Sequence, residues 1–330
     1  MLHAITHTTH LDDVFRNDPT TNSLEAYIAS LAAHPAALLV LSGTMGNQVS
    51  LRTHLLGPPH SVLCDHRAHI LEWEAGGVAS LCGALVKGVV PLNGHHLTLA
   101  DVQKHAVVSD DVHACPTRVI SLENTLAGEV MPVEDCRAIS TWARERGIVM
   151  HLDGARLWEA VAAQVARGEH HGDLVAGLKA YCACFDSVSL CFSKGLGAPI
   201  GSIIVGSEKF VARARHIRKS IGGGLRQAGV ITAAARVAVE ETFLGGKLVG
   251  SHERARQIAE TWTRKGGKLT QGCETNMVWF DLAAAGIEAK TFVAVGVRHG
   301  VQFLGGRLVV HYRMLLSRGG RVTCPLTFLG

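Results

Sequence analysis

The chain has 330 residues, of which 47% are hydrophobic and 18% charged, with a mean hydropathy of +0.20. That is apolar material for about two domains or one large α/β domain, and too little charge for a disordered chain. The 32 basic and 28 acidic residues leave a net charge of +4, and no apolar run nears the ~18 residues of a membrane helix.

Neither a nucleic-acid nor a membrane partner is expected. The densest basic stretch, Arg213–Lys219, has no interleaved aromatics for base stacking and reads as a solvated helix face or a local anion site. The first residues lack a basic stretch followed by an apolar one, so no secretory signal is expected. Nine cysteines, an odd number without a CxxC pair, read as strand-core thiols of a reducing compartment, which points to the cytoplasm. The 19 histidines include one HxxH, at His66 and His69, but no HExxH; most read as surface or loop residues, and no metal is expected.

In chain order, Asn22 followed by Glu25 reads as a capping box, with a helix over Ser23–Ala33. A strand at Ala37–Leu41 leads through Ser42-Gly43-Thr44 into a second helix pattern through Val49, Leu51 and Leu55. The rhythm repeats: strand Val62–Cys64, helix His69–Ala79, strand Leu85–Val90, helix Leu99–His105, strand Arg118–Leu122, helix Cys136–Arg146. Ile148–Leu152 and Ser187–Phe192 are uncharged runs suited to strands buried on both faces, and Ser202–Val205 is a further strand that could run antiparallel. A long helical region, Arg226–Thr242, ends at Leu244-Gly245-Gly246. A helix over Ser251–Lys265, strands at Met277–Leu282, Val301–Leu304 and Arg307–Tyr312, and a helix over Glu288–Arg298 then suggest a small α+β unit. The reading is an α/β chain with a large domain over 1–243 and a small C-terminal domain over 244–330.

Ligands of a parallel α/β sheet sit beyond the carboxyl ends of its strands. Four such ends carry chemistry: Ser42-Gly43-Thr44, Glu123-Asn124-Thr125, Asp153-Gly154-Ala155-Arg156 and Ser193-Lys194-Gly195. Ser42-Gly43-Thr44 opens a helix, whose free N–H groups and dipole suit a phosphate, although it could be a plain strand–helix turn. Lys194 follows an uncharged strand, where a desolvated amine favours Schiff-base chemistry; a solvated lysine is the plainer alternative. Asp153 could pair with a buried cation or simply cap a helix. A phosphate cradle, an amine and a carboxylate together describe pyridoxal phosphate.

The runs LSGTMGNQ, HLDGARLWEA, SLCFSKGLGAPIGS and GGGLRQAG resemble the low-specificity L-threonine aldolase family of fold-type-I pyridoxal-phosphate enzymes, over roughly Asp12 to Tyr312. The resemblance implies a mostly parallel seven-stranded sheet with a small C-terminal domain, pyridoxal 5'-phosphate as cofactor, and a homodimer or homotetramer. It implies that Lys194 carries the cofactor as a Schiff base and that Asp153 holds the pyridine nitrogen. Ser42, Gly43, Thr44 and Arg226 would hold the phosphate. His69 would stack on the ring and is a candidate base for the substrate hydroxyl, while Arg156 and Arg307 would bind the substrate carboxylate. The implied reaction splits threonine and related β-hydroxy-α-amino acids into glycine and an aldehyde. A β-elimination, a transamination, or a binding protein without activity would use much of the same machinery.

Three departures from the family pattern carry expectations. An RSDT segment, whose serine helps bind the substrate carboxylate in the family, is not matched. Leu126 stands where some members have a histidine, so that side chain is not the base here. The run after Tyr312 lacks helical periodicity and would anchor Arg307 poorly. A protein that binds the cofactor but cleaves threonine weakly is expected on these grounds.

Overall fold

A computed structural model describes residues 1–316 and 322–323. Among them no helix is long and apolar enough to cross a membrane. The expectation for the run after Tyr312 falls mostly outside these residues.

Seven strands form the main sheet: β1 (Ala36–Val40), β2 (Ser61–Asp65), β3 (Leu85–Val89), β4 (Thr117–Glu123), β5 (Val149–Gly154), β6 (Ser187–Cys191) and β7 (Ser202–Gly206), in the order β1-β7-β6-β5-β4-β2-β3. All neighbours pair in parallel except around β7, which runs antiparallel to both β1 and β6. Nearly every residue of β2, β5, β6 and β7 is buried, as expected of strands covered on both faces. Side chains alternate between the covers: Leu39 joins the main core with Leu24 and Ile28, whereas Leu38 and Val40 pack with Val49 and Phe210 on the other face.

The helices, in order, are α1 (Leu2–Thr6), α2 (Pro19–Leu31), α3 (Gly43–His54), α4 (His69–Glu72), α5 (Gly77–Cys82), α6 (Leu99–His105), α7 (Val133–Arg144), α8 (Leu157–Ala166), α9 (Leu174–Cys182), α10 (Glu208–Ser220), α11 (Gly229–Ala238), α12 (Lys247–Arg264) and α13 (Ala289–Arg298). Beyond α11 the chain continues as a π-helical turn, Val239–Leu244. A second sheet, β10-β9-β8, joins β8 (Lys268–Leu269), β9 (Met277–Asp281) and β10 (Arg307–Val309), all antiparallel. It packs with α12 and α13 around Phe280, Phe292 and Trp262. From α12, His252 reaches back to bond Glu159 of α8 at 2.6 Å, both side chains buried.

Several sequence expectations are corrected. The first long helix starts at Pro19, capped by the Asp18 carboxylate accepting from Thr21 N–H at 2.9 Å, so Asn22 lies inside it and Asn22–Glu25 is no capping box. The helix expected over 69–79 is two short pieces, because Ala75 and Gly76 take positive φ between them. Val301–Leu304 is not a strand. The basic stretch of α10 is only partly a solvated face: Arg218 is buried, with Nη2 on Asp13 (2.7 Å) and Nη1 on the Leu39 carbonyl (2.7 Å), and Arg215 bonds Glu25 at 2.8 Å. Cysteines lie in helices as well as strands, since Cys82, Cys136 and Cys182 are buried on α5, α7 and α9. His54, His60, His151 and His252 belong to the interior rather than to loops.

Candidate active site

Because β1, β4, β5 and β6 point the same way, their carboxyl ends open on one side of the sheet. A cavity of about 420 Å³ lies there, lined by Ser42, Gly43, Thr44, His69, Asp153 and Lys194. Cys191 and Ser193 continue the wall at the end of β6, and Leu41, Ala155, Pro199 and Ile200 add apolar surface.

The start of α3 forms one end. Ser42 has extended backbone and its Oγ accepts from Met45 N–H (3.1 Å), while the first intrahelical bond is Gly46 N–H to the Ser42 carbonyl (3.0 Å). The Gly43 and Thr44 amides precede that bond and stay free for an anion, with the helix dipole behind them. On neighbouring β7, Ser202 Oγ is buried without a partner and lies 4.0 Å from where a Cβ on Gly43 would stand. A helix end, free amides and an orphaned hydroxyl fit a phosphate.

Asp153 is the last residue but one of β5 and is buried. Its Oδ1 accepts from Ala155 N–H (3.0 Å) and its Oδ2 from Asn47 Nδ2 (2.7 Å). This buried carboxylate, held by two neutral donors, fits a cationic ring nitrogen. Lys194 is half-buried in the turn after β6. The next residue, Gly195, is a glycine, and a Cβ there would run into the Glu159 carboxylate, so a larger residue would displace that side chain. The donor set as a whole fits pyridoxal phosphate.

His69 opens α4. Its backbone N–H donates to Glu123 Oε2 (2.8 Å) at the end of β4, and its Nδ1 bonds Glu74 Oε1 at 2.9 Å. Glu123 faces Asp153 across the β4–β5 ladder. Burial first, then the Asp153 charge, pushes its carboxyl up to about 8, against opposing pulls from Arg156 and Lys194. Burial lowers the Arg156 pKa; Glu123 opposes this and nearby Arg307 adds to it. Arg307 Nε is buried without a partner. Two guanidiniums close enough to feel one another suit a shared anion.

Arg156 and Arg307 lie outside the set of residues lining the 420 Å³ cavity, although Arg156 directly follows Ala155 in its wall. Arg226 does not line this cavity either: it is exposed and pairs with Asp12, in the chain before α11 that runs beside the N-terminal segment, where Asp13 N–H donates to the Arg226 carbonyl (3.1 Å). Sequence reasoning missed Glu74, Asn47 and the buried His151 behind them. In an unbroken helix Glu74 would stand about 140° around from His69, and only the break near Ala75 lets the two meet.

The family model described as "Beta-eliminating lyase" matches residues 1–285. An aldolase of Penicillium aethiopicum, vrtJ, is 58% identical over 95% of this chain and 78% of its own length. The alanine racemase TOXG of Cochliobolus carbonum is 44% identical over 95% and 80%. The low-specificity L-threonine aldolase of Candida albicans is 45% identical over 92% and 79%. In fold, the chain is similar to a crystal structure of a putative L-allo-threonine aldolase from Listeria monocytogenes, with a TM-score of 0.76 and 24% identity over 94% of this chain and 86% of that one. The chain therefore belongs to the beta-eliminating lyase family, among the low-specificity threonine aldolases of fold type I, and is a pyridoxal-phosphate-dependent lyase.

Proposed function

We propose that the chain splits the Cα–Cβ bond of β-hydroxy-α-amino acids, L-threonine and L-allo-threonine among them, to give glycine and an aldehyde. The observation that carries this reading is the single cavity that Lys194, Asp153, His69 and the start of α3 all line. Bound pyridoxal phosphate supplies the aldehyde that captures the substrate amine and the ring that takes up the electron pair of the broken bond. Ser42, Gly43, Thr44 and Ser202 would hold its phosphate, Asp153 its ring nitrogen and Lys194 its aldehyde carbon. Arg156 and Arg307 would clamp the substrate carboxylate and so fix which bond at Cα is broken. His69 Nε2 takes the β-hydroxyl proton as the Cα–Cβ bond breaks, and the hydroxyl oxygen becomes the aldehyde carbonyl. Glycine supply, a cytoplasmic location and a homodimer or homotetramer complete the proposal, on the cysteine usage and the family likeness.

The relative named alanine racemase gives a second reading. Racemisation needs proton transfer on both faces of Cα, with Lys194 and His69 as the two groups. One experiment separates them: holoenzyme is given L-threonine with acetaldehyde followed, then L-alanine with D-alanine followed. Acetaldehyde release supports the aldolase; D-alanine without acetaldehyde replaces it with the racemase.

A further inference from the structure

Glu74 is buried, yet nothing in the roles above uses it. Three side-chain donors converge on its carboxylate: Asn47 Nδ2 at 2.8 Å and His69 Nδ1 at 2.9 Å on Oε1, and Gln48 Nε2 on Oε2. An ionised carboxylate only accepts, so a bond from His69 Nδ1 requires the proton to sit on that nitrogen. In a neutral imidazole Nε2 then carries the lone pair.

The orientation of Asn47 is fixed as well. Its Nδ2 has two hydrogens and two carboxylates to serve, Glu74 and Asp153 (2.7 Å). Its Oδ1 must therefore accept from His151 Nε2 (3.2 Å). That leaves His151 Nδ1 to accept from the Ser187 hydroxyl (2.8 Å), whose oxygen accepts from His54 Nε2 (2.8 Å). Every link has one direction that satisfies it. Burial keeps both histidines neutral, lowering His54 to about 4 and His151 to about 3, so the chain does not invert by protonation near neutral pH. The amide that steadies Glu74 is thus locked from behind by the sheet itself.

We propose that Glu74 is a positioning residue that holds His69 with its proton on Nδ1 and its bare Nε2 available to the substrate hydroxyl, and that Asn47 ties this carboxylate to Asp153. The catalytic part rests on the aldolase reading above; the tautomer does not. A free neutral imidazole keeps its proton mostly on Nε2, the wrong nitrogen for a base acting from that atom, so the Glu74 bond selects the reactive form. The logic is that of a carboxylate orienting the histidine of a hydrolase triad, reached here by a turn rather than by a distant loop.

The test is the tautomer itself. Holoenzyme labelled with ¹⁵N-histidine is examined by long-range ¹H–¹⁵N correlation at pH about 8.5, where imidazole is neutral; the His69 signals are those lost in His69→Asn. Wild type is expected to show a protonated Nδ1 and a bare Nε2, and Glu74→Ala a shift toward protonated Nε2. With threonine, Glu74→Ala should lower kcat about a hundredfold with KM within about twofold and the cofactor absorbance retained. Glu74→Asp should recover part of kcat together with part of the Nδ1-protonated signal. A protonated Nε2 in wild-type holoenzyme overturns the proposal, and needs no variant to fold. So does a Glu74→Ala protein with an unchanged tautomer. Wild type that releases no aldehyde but shows the Nδ1-protonated form overturns the aldolase reading and leaves the positioning of His69 standing.

Discussion

Burial at the end of β4, with Asp153 across on β5, pushes the Glu123 carboxyl from its ordinary 4.5 up to about 8. Between these values the folded chain keeps a proton that the unfolded chain releases. Stability from this group is therefore greatest below about 4.5 and falls as pH rises toward 8. In cofactor-free protein, Glu123→Gln copies the protonated carboxyl and still accepts from His69 N–H. Urea midpoints should match wild type near pH 5 and exceed it near pH 8; the same fall in both proteins would count against the assignment. His54 and His151 act on the other side, because burial lowers both, and their contribution is lost as pH falls below about 6.5. Glu123 was visible in the sequence as a strand-end carboxylate. The raised pKa was not, because it arises from burial in the folded sheet and, after that, from a cross-strand neighbour thirty positions away in sequence.

The placement of α3 decides whether its first turn can receive an anion. Gly46 sits where the helix crosses the sheet, and a Cβ there would meet the Ser189 side chain and come within 3.2 Å of an Ile204 methyl. Gly46→Ala should therefore lift α3, at a cost of about 1–3 kcal/mol in stability, and weaken cofactor binding by displacing the Gly43 and Thr44 amides. Adding Ser189→Ala removes the nearest obstacle and should restore part of both, measured by urea titration and cofactor absorbance. No loss in the single variant, or no recovery in the double, would contradict this packing. At this scale the sequence was readable where a strand ran straight into a functional turn, as at Ser42 and Lys194. It misled where local chemistry had two solutions: Asp18-Pro19 caps α2 better than Asn22 does, and Ala75-Gly76 divides a helix that periodicity alone continues.

Over the whole molecule, apolar runs and their order foretold the sheet and the crevice at its carboxyl ends, because strands buried on both faces must be uncharged. Charged groups buried by long-range partners were beyond such reasoning: Arg218 reads as a helix-surface cation until Asp13 meets it from 205 positions away. The proposed oligomer belongs to this scale. Trp73 is 71% exposed only four residues from His69. Sedimentation of the holoenzyme should give at least a dimer, and a stable, active monomer would refute it.

The most direct measurement is peptide mapping by mass spectrometry after borohydride reduction of the holoenzyme. Lys194 lines the cavity beside Asp153 and the start of α3, so a pyridoxyl group fixed on Lys194 is the expected result. A pyridoxyl group fixed instead on Lys87 or Lys179 would contradict the site and the chemistry assigned to it.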